Sequence, residues 1–151
     1  MKTLIFLYPL TQHQLETDEL KIGLQQVTVS ECYGMGRIYT AQDLVDKDLD
    51  KFIPTEIEKQ NPRWIIAEGR CATEVLKLKG IKKVLINPHV IEQESDVSDF
   101  DKDNTWGFFD ALHERDYENF CCRFNNAAFY PMDDELSLFY IKEIVEAVIE
   151  E

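Results

Sequence analysis

Five short apolar runs, separated by longer segments of helical periodicity, constrain the fold of this chain more than any other feature. They lie at residues 3–8 (TLIFLY), 27–29 (VTV), 64–67 (WIIA), 83–86 (KVLI) and 127–130 (AAFY). Most show no alternation of apolar and polar residues. A strand covered on both faces has no solvent side to keep polar, so such runs read as central strands of a parallel sheet. Residues 12–22 form a polar helix with Leu15 and Leu20 as its apolar contacts, ended by Gly23. Residues 32–39, with Gly34 and Gly36, read as a loop. Residues 40–60 carry Leu44, Val45, Leu49, Phe52, Ile53 and Ile57 on one side, and Pro54 is expected to divide them into two helices. Residues 68–79 form a helix stopped by Gly80, and the acidic stretch 92–103 is a solvated loop. Residues 106–117 and 136–149 complete the helices.

Strand and helix alternate five times, which implies a single α/β domain over residues 1–151. The expected architecture is a three-layer sandwich: a five-stranded parallel sheet of order 2-1-3-4-5 with helices on both faces. Ligands of such sheets bind beyond the carboxyl ends of the strands. That directs attention to residues 8–12, 30–37, 67–71, 87–90 and 131–135.

Lys and Arg number 16 against 29 Asp and Glu, a net charge of −13. A phosphate backbone or anionic membrane needs a cationic face, so neither is an expected partner. No apolar run approaches the ~20 residues of a membrane-spanning helix. The opening MKTLIFLYPL is broken by Pro9 and reads as a first strand rather than a signal peptide. Cys32, Cys71, Cys121 and Cys122 form no C-x-x-C pair, which points to free thiols and a cytoplasmic protein.

Around the third strand the sequence WIIAEGRCATEVLKLKGIKKVLINPHV resembles the nucleophile elbow, helix and following strand of α/β-hydrolases. The ending Leu-Ile-Asn-Pro is most similar to the small bacterial YqiA-like esterases. LIFLYPLTQ falls where that family has its first strand and oxyanion loop, and AAFYPMDDEL resembles the turn that delivers the triad acid. On this resemblance Ala67 and Cys71 take the flanking glycine positions and Gly69 takes the nucleophile position. Tyr8-Pro9 replaces the family's His-Gly, and no histidine follows Asp133 and Asp134. The chain therefore resembles a shortened, degenerate member.

Two functions follow from these residues. The first is a pseudo-esterase that binds a small molecule or protein partner without catalysis, through Tyr8, Pro9, Glu68, Gly69 and Arg70 at the old active-site edge. The second shifts the elbow by two residues, to Gly69-Arg70-Cys71-Ala72-Thr73. Cys71 is then the nucleophile of an esterase or acyl hydrolase, with His89 as base and Asp133 or Asp134 as acid. A thiol at a helix start beside an arginine can have a lowered pKa. Against this stands the commoner role of a buried Cys as a small packing residue, and that of acids before a helix as caps. Glu68 and Arg70 can equally form a plain surface ion pair.

Asp99, Asp101, Asp103 and Asp110 have the spacing of a calcium loop, but Asn104 replaces its turn glycine, and no metal is expected. Gly34-Met35-Gly36 is too short for a dinucleotide fingerprint, and no cofactor is expected. Leu10-Thr11 and Glu68-Gly69 occupy the places where a phosphoacceptor receiver needs its aspartates.

Overall fold

The computed structural model describes residues 3–8, 37–91 and 96–131. Within them lies a six-stranded sheet of order β2-β1-β3-β4-β5-β6 in which all neighbouring strands pair in parallel. The strands are β1 (Thr3–Tyr8), β2 (Ile38–Tyr39), β3 (Trp64–Gly69), β4 (Lys82–Ile86), β5 (Thr105–Asp110) and β6 (Asn126–Tyr130). The helices are α1 (Ala41–Leu44), α2 (Leu49–Gln60), α3 (Arg70–Leu76), α4 (Asp99–Asp103) and α5 (Glu114–Cys121), with a 3-10 turn at Ala111–His113. The α/β class and the reversal of strand order beside β1 are as the apolar pattern implies; the sheet has one strand more.

Both faces of the sheet are buried. Leu4, Phe6, Ile65, Ala67 and Leu85 project to one side, where Leu44, Ile53, Ile57, Cys71 and Val75 of α1, α2 and α3 cover them. Phe109 continues this layer against Phe120 of α5 and Phe124. Ile5, Leu7, Ile66, Val84, Ile86 and Phe108 project to the other side and are equally buried. This two-sided burial is why the strands carry continuous apolar runs. The expected helices at 12–22 and 136–149 and the strand at 27–29 lie outside the described residues.

Besides the expected solvated loop at 92–103, whose residues 99–103 form α4 with Asp101 buried, three local expectations are corrected. Residues 106–117 are not one helix: Thr105–Asp110 is strand β5, and the helix starts at Glu114. The aromatic run obeys a period of two, sending Trp106 and Phe108 to one face and Phe109 to the other. Gly107, a poor helix residue, lies under the ring of Phe120. A Cβ there would come within 2.7 Å of Phe120 Cζ and 2.9 Å of Phe109 Cε2. Gly107→Ala is therefore expected to destabilise the fold by about 1–3 kcal/mol through overpacking, read from the urea midpoint; an unchanged midpoint would contradict this packing.

Secondly, Ile38–Tyr39, expected in a loop, is edge strand β2, paired with Ile5 and Phe6. Tyr39 anchors it: its ring stacks on Phe6 at 5.2 Å, and its hydroxyl donates to Glu56 Oε2 at 2.7 Å. Thirdly, Pro54 does not divide the 40–60 stretch. It sits inside α2, and the break falls at residues 45–48 instead. Pro54 and Asp50, whose carbonyl loses its helical partner, are both exposed, so water can take the freed carbonyl. The helix ends where Asn61, at φ 46°, returns its N–H to the Ile57 carbonyl ahead of Pro62.

Candidate functional site

Parallel pairing puts all the strand carboxyl ends on one edge. Tyr8 is opposite Gly69, Glu68 is opposite Ile86, and Asp110 is opposite Tyr130. At the centre β3 turns sharply into α3. Gly69 makes that turn with φ 61° and ψ −122°, a combination that residues with a Cβ adopt only under strain. The Arg70 guanidinium lies 5.4 Å from the centre of the Tyr8 ring, within range of a cation–π contact. Four expected binding residues, Tyr8, Glu68, Gly69 and Arg70, are thus neighbours on this edge. Pro9 lies outside the described residues.

Thr73, one turn into α3, ties the edge together. Its hydroxyl donates to the Gly69 carbonyl at 3.2 Å and accepts the His89 backbone N–H at 2.9 Å. The loop after β4 is thereby fastened beside the elbow. Asp116 of α5 holds the same loop from the other side: one carboxylate oxygen accepts the Val90 N–H at 2.9 Å and lies 3.1 Å from His89 Nδ1.

The structure does not assemble the cysteine machinery. Cys71 is fully buried in the apolar layer beneath α3. Burial, with Glu68 and Glu74 nearby, pushes its thiol up to about 12, away from the reactive thiolate. Thr73 holds the His89 loop, and positions two apart on a helix point about 200° apart. Among the described residues His89 pairs with Asp116, on an imidazole that is 67% exposed, and nothing joins it to Cys71. Asp133 and Asp134 lie outside the described residues. Iodoacetamide at pH 8 is expected to alkylate the exposed Cys121 and Cys122 at least about a hundredfold faster than Cys71. Peptide mass mapping checks this; comparable rates would show a thiolate at the elbow.

No family model, no curated protein and no solved structure matches this chain.

A cluster at the same edge was missed by the sequence reading. Asp110, at the end of β5, is almost fully buried and holds His113 Nδ1 at 2.6 Å. The Asn87 amide donates to Asp110 Oδ2 at 3.0 Å, and the Asp110 N–H donates back to Asn87 Oδ1 at 3.1 Å. The Leu112 N–H donates to Asp110 Oδ1 at 3.1 Å. Asn87 takes a positive φ of 52° to face this way. The hydrogen bond to Asp110 raises the His113 pKa above its ordinary value against the opposing effect of burial, with Asp110 and Asp116 charges adding to the rise. With Nδ1 directed at the carboxylate, Nε2 is the ring nitrogen without a bond to Asp110 among the described residues. The one signal in the sequence is a D-x-x-H spacing directly after an aromatic run, which reads as a helical pair when that run is taken as helix.

The calcium spacing does not form a loop. Asp99, Asp101 and Asp103 lie on α4, and Asp110 ends a strand. Asp101 accepts from the Gly80 N–H and the Ser98 hydroxyl. Among the described residues no group of three or more acidic, His or Cys side chains is placed to hold a metal, and no helix is long and apolar enough to cross a membrane.

Proposed function

We propose that this protein is a binding module built on an α/β-hydrolase-like plan, a pseudo-esterase that takes a small uncharged acyl compound at its carboxyl edge without cleaving it. One observation carries the reading. The turn from β3 into α3 has the sharp strand-to-helix form of a nucleophile elbow, and the residue on it is Gly69, which has no side chain to attack with. Around it the edge supplies contacts for an acyl ligand: the Tyr8 ring, the Arg70 guanidinium and, beyond β4, the imidazole of His113. Such a mix of apolar surface and a few placed polar groups suits a small organic molecule. A buried thiol with a raised pKa weighs against the cysteine esterase.

The test has two arms. p-Nitrophenyl butyrate is expected to hydrolyse at the buffer rate with the wild type and with Cys71→Ala. Saturable turnover lost in Cys71→Ala would establish the esterase instead. In the second arm the stable amide N-(4-nitrophenyl)butanamide is titrated in while backbone resonances are followed. Saturable shifts are expected at Glu68, Gly69 and Arg70; their absence would overturn the binding reading.

A further inference from the structure

A cavity lies in the layer between α3 and the segment that follows α5, running from Thr73 and His89 near the carboxyl edge down to Lys83. It encloses about 520 Å³, within the range of small-molecule sites. Leu76, Leu78, Ile91, Val97 and Phe124 give it apolar walls. Lys83, from the start of β4, also lines it, although its side chain is only 1% exposed. Three further cations, Lys77, Lys79 and Arg123, also line it, against the two carboxylates Asp96 and Asp101, with Lys77 paired to Glu74. In a chain of net charge −13 this is a local reversal of sign.

Lys83 is the informative residue. Parallel-strand burial explains a Val or Ile at this place, not an ammonium, because an under-paired buried charge is costly. Its ammonium has three protons to donate. Among the described residues it donates to the Leu78 carbonyl, and its other neighbour, Asp101 Oδ1, is 3.9 Å away, beyond hydrogen-bond reach. The Asp101 oxygens are turned to Gly80 and Ser98 instead. The buried cation therefore has Asp101 as an ion-pair partner but only one hydrogen-bond acceptor for its three protons, and burial lowers its pKa against the nearby Asp101 charge. An anion entering the cavity would supply the missing acceptor, and the apolar walls would take a hydrocarbon attached to it.

We propose that this cavity binds an aliphatic monocarboxylate, with the carboxylate on Lys83 and the chain against Leu76, Ile91, Val97 and Phe124. Its anchor, Lys83, stands at the start of β4, the opposite end of that strand from the carboxyl edge, and the proposal does not depend on the pseudo-esterase reading. A divalent cation is disfavoured by the surrounding lysines, and a free inorganic anion would leave the apolar walls unused.

Calorimetric titration with sodium octanoate tests it. One octanoate per chain is expected. Octan-1-ol, which lacks the charge, and acetate, which lacks the tail, should each bind at least about tenfold more weakly. Lys83→Met, which keeps the volume, should erase the preference for octanoate over octanol. Val97→Trp, which fills the cavity from a half-buried loop position, should abolish octanoate binding and decides the matter if Lys83→Met does not fold. Resonance shifts caused by octanoate should centre on Lys83 and Val97. The proposal is overturned by absence of saturable octanoate binding, by octanol binding as tightly as octanoate, by binding that survives Val97→Trp, or by shifts centred on Gly69 and Arg70 instead.

Discussion

Phe120→Ala is expected to remove about 3–5 kcal/mol of stability, the usual range for deleting a fully buried aromatic ring. Phe120 has no exposed surface. Its ring stacks on Phe124 at 4.5 Å and meets Phe109 edge-on at 5.4 Å. It also covers Gly107, a strand position where an added Cβ would clash. The side chain thus closes the layer between α5 and β5, and alanine would leave a void bounded by rigid rings and a strand backbone that cannot collapse into it. In urea the midpoint should fall with little change in slope, and the melting temperature should drop by about 10 °C or more. A loss below about 1 kcal/mol would mean that α5 does not pack here as described.

Asp110→Ala is expected to have an effect of similar size, about 3–5 kcal/mol, for a different reason. Removing one partner of a buried hydrogen-bonded pair leaves the others desolvated and unsatisfied. Asp110 accepts from the Asn87 amide, from the Leu112 N–H and from His113 Nδ1. The pH dependence separates this from simple loss of packing. The folded-state pKa of His113 is raised above 6.5. Its contribution is therefore fully present below the unfolded value and is lost as pH rises through the folded one. The wild type should lose part of its margin over Asp110→Ala as pH rises from the unfolded value of 6.5 through the raised folded one. A margin independent of pH would show that His113 is not held by Asp110.

These two variants probe the region that was least legible in the sequence. Thr105-Trp106-Gly107-Phe108-Phe109 has its apolar residues so closely spaced that strand and helix periods fit it about equally. Once it is read as helix, Asp110 and His113 become an ordinary helical pair on a surface. Reading it as strand β5 carries Asp110 to the carboxyl edge beside Asn87, where it closes a hydrogen-bonded cluster. Strands β1, β3, β4 and β6 were legible because burial on both faces removes the need for polar positions. A strand-to-helix switch near Gly69 was legible, though the sequence pattern starts the helix at Glu68 and the structure carries the strand on to Gly69. Its backbone angles and its tie through Thr73 to the His89 loop were not.

Cys71 separates the two kinds of information further. Its neighbours Arg70 and the start of a helix suggest an activated thiol, because local sequence reports what lies along the chain. Activation depends on which way the side chain points, and α3 turns Cys71 into the apolar layer, where burial holds the proton on sulfur. Lys83 is the converse: a lysine at the head of an apolar run reads as a solvated strand start, yet packing buries it beneath a cavity. By itself the sequence determined the α/β class and the parallel pairing that brings the strand carboxyl ends to one edge, because these follow from short-range periodicity and composition. Only the tertiary structure decided which polar groups are buried and what they face, because burial and pairing arise from residues distant in the chain brought together by packing.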